Sequence, residues 1–114
     1  MRVEIRHTFE SRVDVYAVER LLKEHGYDLL MMPPSPLPLG KVREEVAGRN
    51  VITYREGFEK PAERIKRILE KTIPIDDFRP QQMSMLGLPD PPPGMPNILN
   101  LINEEIVIYL NRVA

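Results

Sequence analysis

Hydrophobic and polar positions along this chain change period twice, from two to between three and four. Val3 and Ile5 alternate with Arg2, Glu4 and Arg6, the pattern of a strand with one buried face. From Ser11 to His25 the period lengthens. Val15, Val18 and Leu22 recur at helical spacing, Leu21 widens the stripe, and Asp14, Glu19, Arg20, Lys23 and Glu24 take the wet sides. Thr8 or Ser11 is the expected N-cap, and Gly26 the left-handed stop. Leu29-Leu30-Met31-Met32 then reads as an apolar strand that ends at Pro33 and Pro34.

The second unit repeats the first. Val51-Ile52-Thr53-Tyr54 has the β-branched and aromatic content of a strand, and Glu56-Gly57 turns the chain. A helix is predicted from Phe58 to Lys71, with Phe58, Ala62, Ile65 and Leu69 on one stripe and Pro61 in the first turn. Glu105 to Leu110 closes the pattern. Ile106, Ile108 and Leu110 point one way, Val107 and Tyr109 the other, so both faces are apolar and the strand belongs at the centre of a sheet. The reading is an α+β two-layer sandwich of order β-α-β-β-α-β, a four-stranded sheet with two main helices.

Between these elements lie two proline clusters, at Pro33, Pro34, Pro36 and Pro38 and at Pro89, Pro91, Pro92, Pro93 and Pro96. Proline fixes φ and lacks an N–H, so both read as extended or turn-like connections outside the sheet. Residues 33–50 form a linker with a helical turn at Val42–Ala47. A proline-rich insertion at about 73–104 precedes the last strand, with a short helix at Ile98–Ile102 capped by Asn97. A connection of that length inside a small domain is expected to be either functional or partly disordered.

The 114 residues fit one domain, 1–114, able to bury a modest core. Absence of cysteine excludes disulfides, thiolate metal sites and cysteine nucleophiles. A net charge of −1 disfavours nucleic-acid binding through bulk charge. No run approaches the roughly 18–20 apolar residues of a membrane span, and Met1–Ile5 does not read as a signal peptide, so the chain as it stands is expected in the cytoplasm.

Candidate chemistry is sparse. His7 and His25 would need a carboxylate such as Glu10 or Asp28 to form a metal site. The simpler reading puts His25 at a helix C-terminus, favoured by the dipole, and His7 in a solvated loop. Asp76-Asp77 and Glu104-Glu105 are carboxylate pairs without a third ligand at a recognisable spacing. The glycines make no phosphate-binding pattern, and Ser11, Ser35 and Ser84 lack a nucleophile elbow. The basic residues of the second helix are interleaved with acids, as on a solvated face. No catalytic residue, metal ligand or cofactor is therefore assigned. Met83, Met85, Leu86 and Leu88 form an apolar, adaptable stretch suited either to a partner or to covering an open part of the same domain.

A first strand, a helix ending L-L-K-E-H-G-Y-D-L, then V-I-T-Y-R-E-G-F-E-K-P-A-E-R-I-K-R-I-L and a final I-V-I-Y-L resemble the LytR C-terminal domain family. The likeness covers residues 2–32, 50–72 and 105–110. His7-Thr8-Phe9-Glu10 stands where that family has an asparagine-glycine turn, and the proline-rich insertion is additional. The resemblance implies a small accessory domain of the bacterial cell envelope, without catalytic residues. The leading expectation is a non-enzymatic interaction module, binding a protein partner or self-associating through a sheet edge or residues 79–96. The alternative is a small ligand- or metal-binding enzyme with its site between the insertion and the strand ends, using His7, Asp76 or Asp77.

Overall fold

A computed structural model describes residues 1–36, 44–81, 93–94 and 104–113. In chain order the elements are β1 (Arg2–His7), α1 (Val15–Glu24), β2 (Asp28–Met31), β3 (Asn50–Tyr54), α2 (Glu59–Glu70), β4 (Asp77–Pro80) and β5 (Ile106–Leu110). A third, short helical piece occupies the described residues 44–46. The α+β class holds, with five strands where four were expected.

The sheet order is β2-β1-β5-β3-β4. β1 runs parallel to β2 and to β5, β3 runs parallel to β4, and β3 and β5 are antiparallel. The chain thus contains two βαβ units of opposite direction, joined through β5. The added strand, β4, lies inside the stretch read as an insertion. Asp-Phe-Arg-Pro carries neither alternation nor β-branching, and Phe78 is its one apolar anchor. The Phe78 ring lies 4.8 Å from that of Tyr54, with the Lys66 ammonium 5.5 Å above it.

Both helices cover one face of the sheet. Val15, Val18 and Leu22 of α1 and Ala62, Ile65 and Leu69 of α2 meet Val3, Ile5, Ile52, Ile106, Ile108 and Leu110 in one buried cluster. Each large side chain there contributes about 1.5–3 kcal/mol by leaving water. The opposite face buries a smaller group, Val46, Val51, Val107 and Tyr109. All five residues of β5 are buried, as expected of a central strand.

The first helix starts later than its sequence suggests. Ser11 accepts from Val13 N–H at 3.3 Å, a local turn, and Asp14 supplies the cap by accepting from Ala17 N–H at 3.0 Å. Neither Thr8 nor Ser11 is the N-cap. Gly26 follows with φ of 84°, the left-handed stop. Residues 8–13 are consequently a loop, and this loop shapes the site below.

Candidate functional site

β1 and β2 end side by side, and the chain leaves both in the same direction. In open α/β sheets ligands settle outside the carboxyl ends of the strands, and this is the carboxyl end of both. Here the loop after β1 is tied down. Ser35 donates its N–H to the His7 carbonyl at 3.1 Å, Phe9 donates to the Ser35 carbonyl at 3.2 Å, and Arg12 donates to the Arg112 carbonyl at 2.9 Å. Thr8 is buried and pairs with Ser35 in an isolated bridge. The strand ends are thereby extended into a fixed rim.

Two adjoining cavities open along this rim, of ≈ 370 and ≈ 300 Å³, with His7, Val15, Tyr16 and Pro34 lining both. Met31, Met32 and Pro33 form the β2 side of the first, and Thr8, Phe9, Ser11 and Val13 the loop side of the second. Phe9 is 67% exposed and Tyr16 74% exposed. Two aromatic rings left in water beside prolines and methionines form an adaptable apolar surface at one place on the molecule. Polar groups are few among the described residues: His7, Asp14 and Glu19 are their titratable side chains in the lining besides the Tyr16 phenol.

The carboxylate pairs are placed elsewhere and are occupied. Asp76 accepts Asn50 N–H at 2.7 Å and pairs with Arg112. Asp77 accepts Phe78 N–H at 2.8 Å and lies 3.4 Å from Arg49. Arg79 Nε stands 2.9 Å from the same carboxylate, an ion-pair contact whose angle falls short of a hydrogen bond, and the Arg79 guanidinium also pairs with Glu45. Asp76 and His7 share one end of the sheet, but β5 and β3 stand between their strands, about 14 Å at ~4.8 Å per strand. Glu104 pairs with Arg2. The Glu105 carboxyl is held below its ordinary range, first by its own backbone N–H, and raised Tyr109 and Tyr54 phenols reflect burial. His25 Nδ1 is 2.8 Å from the Leu21 carbonyl, a helix-end contact remote from His7. Among the described residues no group of three or more His, Asp or Glu could hold a metal ion.

Met83, Met85, Leu86 and Leu88, the sequence's candidates for partner contact, lie outside the described residues, as does the predicted helix at Ile98–Ile102. Phe9 and Tyr16 were not singled out from sequence. The signal was present: Phe9 breaks into a polar loop, and Tyr16 sits next to Val15 but off the stripe of Val15, Val18 and Leu22. No family model matches the chain, and neither the curated proteins nor the solved structures contain a match to it. Among the described residues no helix is long and apolar enough to cross a membrane.

Proposed function

We propose that the protein is an interaction module whose binding surface is the groove at the ends of β1 and β2, and that the groove receives an extended segment of a protein partner. The observation that carries this reading is the pair of exposed rings, Phe9 and Tyr16, on a rim anchored by backbone hydrogen bonds. Aromatic and proline-lined grooves suit extended, proline-tolerant peptides, since flat rings contact them with little loss of side-chain entropy.

Sheet edges are the less favoured surface for association. Met32 donates its N–H inward to Ile5, so by alternation the nitrogen of Pro33 faces outward beyond the β2 edge. Gln81 likewise donates inward to Tyr54, so the nitrogen of Pro80 faces outward on β4. β4 therefore ends on a position that offers no donor to a further strand, and the outward donors of β2 stop at Met31, two residues before Pro33. The setting at the cell envelope implied by the resemblance to LytR C-terminal domains is compatible with such a module, and the reading of the groove does not depend on it.

The test is selection of a displayed random heptapeptide library on the immobilised protein and on the Phe9→Ser/Tyr16→Ser variant. Both substitutions are at exposed positions, so the melting temperature should be unchanged. The reading expects sequences enriched on the first and lost on the second. Equal enrichment on both would refute it.

A further inference from the structure

The groove has a charge preference of its own. Among the described residues its lining includes two carboxylates, Asp14 and Glu19, and neither a lysine nor an arginine. The Asp14 carboxylate is held at the head of α1 by its bond to Ala17 N–H, and Asp14 lines the second cavity. Glu19 lies one helical turn beyond Val15 and Tyr16. Its neighbour Lys23, at 3.4 Å, lies one turn further along the same face, 59% exposed, in a surface i,i+4 pair of the kind that contributes little. An incoming cation can therefore share or take Glu19 without breaking a strong contact. The same rim carries the Tyr16 and Phe9 rings, whose faces attract a cation placed within about 6 Å. Carboxylate and aromatic face together are the chemistry of a lysine or arginine site, while Met31, Met32, Pro33 and Pro34 accommodate apolar neighbours.

We infer that the groove selects an extended peptide segment carrying a lysine or arginine flanked by apolar residues, the cation seated between Glu19 and the Tyr16 ring. This rests on the reading of the groove as a peptide site and adds the chemical class of its occupant. The same two carboxylates disfavour an acidic segment. A second copy of this chain would have to present such a basic apolar segment to the rim.

The experiment is the heptapeptide selection, sequenced and repeated on a Glu19→Lys variant with an unchanged melting temperature. Enriched peptides should carry Lys or Arg at a fixed position. Replacing that residue by Gln in a synthetic peptide should weaken binding about tenfold, as measured by fluorescence anisotropy. On Glu19→Lys the basic preference should vanish or turn acidic. Enriched peptides without a basic position, lost on Phe9→Ser/Tyr16→Ser, would overturn the charge preference and leave the groove standing as a peptide site. Enrichment indifferent to Phe9 and Tyr16, or no enrichment at all, would overturn both. A concentration-dependent dimer that dissolves in the double variant, with no peptide selected, would assign the groove to a second copy and overturn the inference.

Discussion

Asn50 and Asp76 stand 26 residues apart in the chain and hold each other by two reciprocal hydrogen bonds. Asn50 N–H donates to the Asp76 carboxylate at 2.7 Å, and Asp76 N–H donates to the Asn50 carbonyl at 2.8 Å. The fully buried Asn50 side chain then reaches two more segments. Its Nδ2 donates to the Pro74 carbonyl at 2.8 Å, and its Oδ1 accepts from Arg112 N–H at 3.2 Å. One side chain thus joins the start of β3, the approach to β4 and the exit of β5. Asn50→Ala leaves a carbonyl and an N–H without these partners. We expect a loss of about 2–3 kcal/mol in urea unfolding, well above that of an ordinary surface change.

Ile108 is the centre of the main core. It lies opposite Ile5 on one side and Ile52 on the other, and all three are fully buried. Ile108→Ala removes packing from both βαβ units at once. A destabilisation of about 3–4 kcal/mol is expected, a large share of the ~5–10 kcal/mol that a small domain has. Ile108→Val should cost only about 1 kcal/mol. Equal losses for the two variants would contradict the close packing described.

The proline at the end of β4 is a barrier to association. Pro80→Val restores an outward N–H on an edge strand, and the register with Tyr54 should persist. The variant should self-associate more than the parent in light scattering across a concentration series. An unchanged mass would mean that something else covers this edge.

Alkaline pH should find Tyr109. Burial raises its phenol above the ordinary value of 10.0, and the nearby Glu4 raises it further while Arg6 opposes. A raised folded pKa means that the folded state prefers the proton. The contribution is full below the unfolded pKa of about 10 and is lost as pH rises through the folded value. The melting temperature should therefore fall above pH 10, and less steeply in Tyr109→Phe.

Much of this arrangement was legible in the residues, and the exceptions have physical reasons. The alternation of Val3 and Ile5 and the stripes of Val15, Val18, Leu22 and Ala62, Ile65, Leu69 are strong periodic signals, and each faces the core as expected. The two-sided apolar content of Ile106–Leu110 correctly indicated a central strand. β4 was missed because an edge strand of four residues buries little and needs no alternation; what holds it is Phe78 and the ion pairs of Asp77 and Arg79. Ser11 and Asp14 both resemble caps, and only the fold of the loop decides between them. The groove depends on strand ends meeting across the chain, Thr8 against Ser35, a pairing that no local pattern encodes.

The central claim is that partner contact occurs at the ends of β1 and β2. Its most direct test is a titration of the isotope-labelled protein with the tightest peptide from the selection, followed through backbone amide chemical shifts. The account predicts changes concentrated at His7, Phe9, Tyr16, Glu19 and Met32, with Arg64 and Arg79 unmoved. Shifts centred on β4 or α2, with the groove silent, would contradict it.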